Sequence, residues 1–192
     1  MFLGAMADMY KLTNDEAFLH DGARVLDAVV SRMAGDPKAL TRGSSLPLVL
    51  REPVGLTLAS RKCDAMHDPS APGGGDLFSF KGVFMQQLPR YVSVAKSVLT
   101  KPQLAAANQL VADSAEAAWG SRQSPPFASS DVCNEFGRTP SPAGSRSPKF
   151  TWDWKPARPD DGSLSCLDAR TQAQALSLFV AKIRLGSMLR ST

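Results

Sequence analysis

The sequence predicts an all-α fold built from antiparallel helical hairpins, and three observations carry that expectation. Five stretches repeat apolar residues at three- and four-residue spacing, the period of a helix with one buried face. Extended candidates are short, and prolines stand inside or beside them, which keeps them out of a central strand. The 192 residues, 43% apolar and 21% charged, have the balance of a soluble globular domain, which excludes general disorder.

The first helix, Met1 to about Lys11, carries Phe2, Ala5, Met6, Met9 and Leu12 at helical spacing. It stops at Thr13-Asn14-Asp15, residue types suited to a turn and to the cap of the next helix. The second, about Asp15 to Met33, has Phe18, Leu19, Leu26, Val29, Val30 and Met33 on one side and Gly35-Asp36-Pro37 as its stop. A short connection makes antiparallel neighbours, so residues 1–35 form a first hairpin. Residues 36–75 read as a loop in which 46–50 and 56–59 are short extended candidates. The third helix starts near Asp76 or Ser79 and runs to Leu99, with Phe80, Val83, Phe84, Leu88, Tyr91 and Val92 apolar. Pro89 inside it is expected to kink it or interrupt its hydrogen-bond ladder. The fourth opens on Pro102, a good first-turn residue, and ends at Trp119, completing a second hairpin over 76–120. Residues 121–150 form a Ser/Pro-rich loop, with seven Ser and five Pro between 121 and 148. An aromatic strip at 150–155 and a closing helix, capped by Ser165 or Asp168 and ending near Leu189, fill 151–190.

Several function classes lose their footing. The net charge of +4 comes from scattered Lys and Arg rather than a basic stripe, so no nucleic-acid partner is expected. No stretch approaches the length of a membrane span, and the first ten residues lack the basic start of a secretion signal. Cys63, Cys133 and Cys166 form no C-x-x-C pair, and with only His20 and His67 beside them they make no zinc signature. Their odd number is compatible with one disulfide plus a thiol or with three thiols. No phosphate-cradling loop or nucleophile elbow occurs, so no cofactor is expected.

Three segments, in order, resemble glycoside hydrolase family 76, the endo-α-1,6-mannanases. They are Met1–Tyr10 with Thr13-Asn-Asp-Glu-Ala-Phe-Leu19; Asp76-Leu-Phe-Ser-Phe-Lys-Gly-Val-Phe-Met85, similar to the family's Phe-Lys-Gly-Ile-Phe block; and Thr171-Gln-Ala-Gln-Ala-Leu176. Trp119 and Trp154-Lys-Pro156 fall where the family has a helix-ending Trp and a Trp-x-Gly-Pro segment. The resemblance implies a partial (α/α)6 toroid, α-1,6-mannan as the substrate and a secreted or cell-wall setting. It also implies that the family's adjacent catalytic aspartates lie upstream of everything matched, so this chain is expected to be inactive alone. A half-toroid is further expected to expose apolar helix faces and to self-associate through them.

Six residues stand out as site candidates. Asp160-Asp161 is an adjacent carboxylate pair, and glycosidases work with two carboxylates. Its flanks do not match the family's catalytic block, and Arg158 would lower a pKa that a general acid needs raised, so a solvated loop is the reading preferred for it. Asp76, at the mouth of a helix after a glycine run, suits either sugar hydroxyls or a helix N-cap. Lys81 suits either a cleft carboxylate or an exposed helix surface. Trp152 and Trp154 alternate about Asp153, so in an extended strip both rings would point one way and floor a sugar subsite. The competing reading is loop-anchoring or core tryptophan, which is also the reading given to Trp119.

Overall fold

A computed structural model describes residues 2–34, 47–50, 80–122, 150, 154 and 169–190. Among them are five helices and no strand: α1 (Phe2–Thr13), α2 (Ala17–Met33), α3 (Phe80–Ala95), α4 (Lys101–Gly120) and α5 (Ala169–Arg190). The chain is all-α over these residues, as its periodicity predicts.

Local chemistry explains where each helix stops. Asn14 closes α1 in the left-handed region, φ 58, a conformation Asn tolerates, and its N–H donates to the Tyr10 carbonyl at 2.7 Å. Thr13 Oγ1 donates to the Met9 carbonyl, while Asp15 Oδ1 accepts from the Ala17 N–H at 2.9 Å and so opens α2. The α4 terminus is a capping box: Thr100 Oγ1 accepts from the Gln103 N–H, and Gln103 Oε1 accepts from the Thr100 N–H at 3.0 Å. Pro102 occupies the first turn, as expected. Gln103 also donates to Asp27 of α2 at 2.9 Å, which ties the cap to a neighbouring helix.

One expectation is corrected here. Helix α3 ends at Ala95 rather than Leu99: the Val98 N–H closes a tighter i→i−3 bond to the Ala95 carbonyl, which it shares with the Leu99 N–H. Of the extended candidate 46–50, residues 47–50 are described and form no strand: Leu48 N–H donates to Asp113 Oδ2 at 2.7 Å and Leu50 N–H to Ser114 Oγ at 3.0 Å. Side chains of α4 take the place of a strand partner, and Leu48 and Leu50 are buried beneath it. The second extended candidate, 56–59, lies outside the described residues. Pro89 sits buried inside α3, which continues on both sides of it despite the missing N–H donor.

The helices pack in two alternating rows. α1 lies against α3 and α3 against α5, while α2 lies against α4 behind them; α1 with α2 and α4 with α5 join the rows. The expected pairing of α3 with α4 is slight. α3 gives its main contacts to α5 and α1, and α4 to α5 and α2. Glycines permit the closest approaches. A Cβ on Gly82 would stand 2.7 Å from Gln174 Cγ and 3.0 Å from its Cα, so α3 meets α5 nearly backbone to backbone. A Cβ on Gly22 would stand 2.3 Å from the Tyr91 ring, which fills that space and donates its hydroxyl to the Leu19 carbonyl. Leu19, Leu26, Met85, Leu88, Leu110 and Leu178 complete a core shared by all five helices.

Candidate functional site

Lys81 and Trp154 are the two sequence-selected residues the structure brings together. Lys81 Nζ stands 4.1 Å from the centre of the Trp154 ring, and the two residues are 2% and 1% exposed. Burying an ammonium is costly, and the electron-rich indole face offsets part of that cost. This overturns the exposed-helix reading of Lys81. It also corrects the idea of Trp154 as an open sugar platform in an extended strip. Its φ of 53 is left-handed, which breaks the strand-like alternation, and its ring is covered. Its Nε1 has no hydrogen-bond partner among the described residues. Asp76, Trp152, Asp160 and Asp161 lie outside the described residues, as do the three cysteines.

Trp119 also departs from expectation. It is half-exposed rather than core, and forms an aromatic cluster with Phe150 at 6.2 Å and Phe179 at 6.1 Å between ring centres. Arg122 covers part of it, 4.2 Å from the ring centre. Gln172 holds Phe150 in place by bonding both its backbone N–H and its carbonyl, at 3.1 and 3.0 Å.

Among the described residues, a concave feature lies elsewhere, between the exposed side of α3 and α5. Lys81 and Arg90 are nine residues apart, about half a turn around the helix axis at ~100° per residue, so they point to opposite faces. On the Arg90 side, α3 and α5 enclose an open groove of about 620 Å³ lined by Gln86, Arg90, Ser93, Leu176, Val180 and Arg184, among others. That volume is within the range typical of small-molecule sites, roughly 300–1,000 Å³. Gln86 Nε2 donates to Ser177 Oγ at 2.8 Å, and Ser177 Oγ donates to the Ala173 carbonyl at 2.8 Å, which fixes the groove floor. Arg90 is steered by a partly exposed ion pair with Asp8 of α1. The lining supplies guanidinium, amide and hydroxyl groups beside aliphatic surface, with no carboxylate in the set. Among the described residues no His, Cys, Asp and Glu side chains cluster as metal ligands, and no helix is long and apolar enough to cross a membrane.

Behind the groove, on the buried face of α3, Tyr91 has its hydroxyl pushed up to about 12, first by burial and then by the negative charge of Asp27. Sequence reasoning missed the groove because its two walls stand about ninety residues apart, as the 91-residue separation of Gln86 and Ser177 illustrates. The exposed polar positions Gln86, Arg90 and Ser93 follow helical spacing, but such a face usually signifies only solvent.

No protein-family profile, curated protein or solved structure matches this chain.

Proposed function

We propose that this chain is a segment of an (α/α)6-type helical array akin to glycoside hydrolase family 76, and that it binds α-1,6-mannan along the α3–α5 groove without hydrolysing it. The observation that carries the reading is the groove lining. Arg90, Arg184, Gln86 and Ser93 offer donors to sugar hydroxyls, and Leu176 and Val180 offer aliphatic surface to the C–H faces of the ring. The alternation of α1, α3 and α5 in one row with α2 and α4 in the other supports the toroid reading. Hydrolysis needs two carboxylates flanking the scissile bond, and the groove lining supplies neither. Trp154 and Lys81 then act as a buried prop against α3 rather than as sugar contacts.

The test is affinity electrophoresis of the full chain in gels containing α-1,6-mannan, with dextran as the control polymer. Retardation by mannan that is lost in the Arg90→Ala, Arg184→Ala double variant is the expected result. Equal mobility in both gels, or retardation indifferent to the two arginines, refutes the assignment of the groove. Release of mannose oligomers by the purified chain, abolished by Asp160→Asn, would overturn the non-hydrolytic part.

A further inference from the structure

Helices α3 and α5 run side by side in the same direction. Gly82 meets Gln174, Gln86 meets Ser177, and Lys96, just past α3, donates to the Met188 carbonyl at 2.8 Å; each pair lies 91 or 92 positions apart. That constant offset sets Arg184 level with residues 92–93, two or three residues beyond Arg90. At 1.5 Å of rise per residue the two arginines differ by only about 3–5 Å along the helix axes. The axes of packed helices stand roughly 8–10 Å apart, less than the combined reach of two arginine side chains. Both arginines line the groove, so their guanidinium groups converge on one stretch of it.

This stretch is positively charged. Asp8 pairs with Arg90 through one guanidinium nitrogen, from the α1 side. Arg184 is exposed and forms no ion pair among the described residues. Lys96 brings a third cation beside Met188, where a backbone carbonyl rather than a carboxylate holds its ammonium. No carboxylate lines the groove itself. A neutral sugar uses guanidinium groups only as hydrogen-bond donors, whereas an anion also draws on their charge. The shape of the site selects among anions. One guanidinium fork satisfies a planar carboxylate, but the tetrahedral oxygens of a phosphate monoester accept from two forks at once. Val180 lies one turn before Arg184, and Leu176 one turn before Val180, so aliphatic surface leads directly to the cationic stretch.

We propose that the α3–α5 groove takes a phosphorylated saccharide, with the sugar ring over Leu176 and Val180 and the phosphate between Arg90 and Arg184. The inference rests on the saccharide reading of the groove and adds the charge of its ligand: mannose units that carry a phosphate are preferred to plain ones.

The test is an NMR titration of the full chain with mannose 6-phosphate, mannose and inorganic phosphate, following backbone amides and the arginine Nε–H resonances. Mannose 6-phosphate is expected to bind about tenfold more tightly, or better, than either of the other two, through its charge-assisted bonds. The Nε–H signals of Arg90 and Arg184 are expected to move with it. Arg184 is exposed on a helix, so the circular dichroism of Arg184→Gln is expected to be unchanged while the preference for the phosphorylated sugar falls to near unity. Equal affinity for mannose and mannose 6-phosphate overturns the inference and leaves the mannan reading standing. Inorganic phosphate binding as tightly as the sugar phosphate overturns the saccharide part. A preference that survives Arg184→Gln overturns the placement of the anion. Binding of mannose 6-phosphate at these arginines by a chain that ignores α-1,6-mannan supports the inference and refutes the mannan reading instead.

Discussion

Raising the pH should destabilise this protein through Tyr91, and removing one hydroxyl should cancel that loss. Tyr91 is buried, donates to the Leu19 carbonyl, and holds its proton up to about pH 12 instead of 10.0. The folded-state pKa is the raised one, so its contribution to stability is whole below the unfolded value of 10.0 and is lost as pH climbs towards 12. Two units correspond to about 2.7 kcal/mol at the limit, and roughly 2 kcal/mol is already lost near pH 11.5. Tyr91→Phe forfeits the hydrogen bond, about 1 kcal/mol, at every pH where the tyrosine is neutral. The wild type should thus be the more stable form near pH 8 and the less stable form by about 1 kcal/mol near pH 11.5. Urea unfolding followed by far-ultraviolet circular dichroism across that range measures the crossover. Every other group is common to the two proteins, so the difference isolates Tyr91. Stability curves that stay parallel through the alkaline range would refute the reasoning.

Other expectations follow from packing and capping. Gly82→Ala should lower stability by about 1–3 kcal/mol, since the new methyl meets Gln174 at 2.7 Å and its backbone at 3.0 Å. Gly120→Ala, whose Cβ meets nothing within 4 Å, should be neutral or stabilising by up to about 1 kcal/mol; thermal melts of the pair test the contrast. Thr100→Ala should cost about 1 kcal/mol by opening the capping box, and chemical denaturation would register it. Asp113→Ala should cost about 1–3 kcal/mol by stranding the buried Leu48 N–H, with hydrogen exchange at Leu48 as the direct readout.

Most of the helical pattern could be read from the chain alone. Thr13-Asn14-Asp15 turns where its residue types say it should, and Pro102 opens α4 in its first turn. The end of α3 was misplaced because Val98 and Leu99 continue the apolar rhythm while the Val98 N–H tightens to an i→i−3 bond on Ala95. What the extended candidate near Leu48 pairs with was not legible for a different reason. Its hydrogen bonds go to Asp113 and Ser114, more than sixty residues away, and nothing in a local alternation announces such partners. The same holds for the site. Lys81 and Trp154 drew notice as separate residues, but their burial against each other depends on a contact across more than seventy positions. Gln86, Arg90 and Arg184 drew none, because exposed polar residues at helical spacing look alike whether or not another helix stands opposite.

Periodicity, capping residues and turn chemistry by themselves determined that this chain is helical and roughly where its helices lie, but not which face of each turns inward: on α1 the apolar set Phe2, Ala5, Met9 and Leu12 is exposed, and Leu3, Gly4 and Ala7 are the buried residues. Helicity and helix position are properties of neighbours within about one turn, where backbone hydrogen bonds and side-chain spacing act. Tertiary structure alone decided that α5 stands against both α3 and α4, that a groove opens between α3 and α5, and that apolar side chains of α1 and α5 stay exposed. The physical reason is close approach. Gly82 lets α3 reach the backbone of α5 at Gln174, and Gly22 makes room for the ring of Tyr91. Which distant surface fills the space a glycine leaves is settled by packing among all five helices, and no local spacing in the chain encodes it.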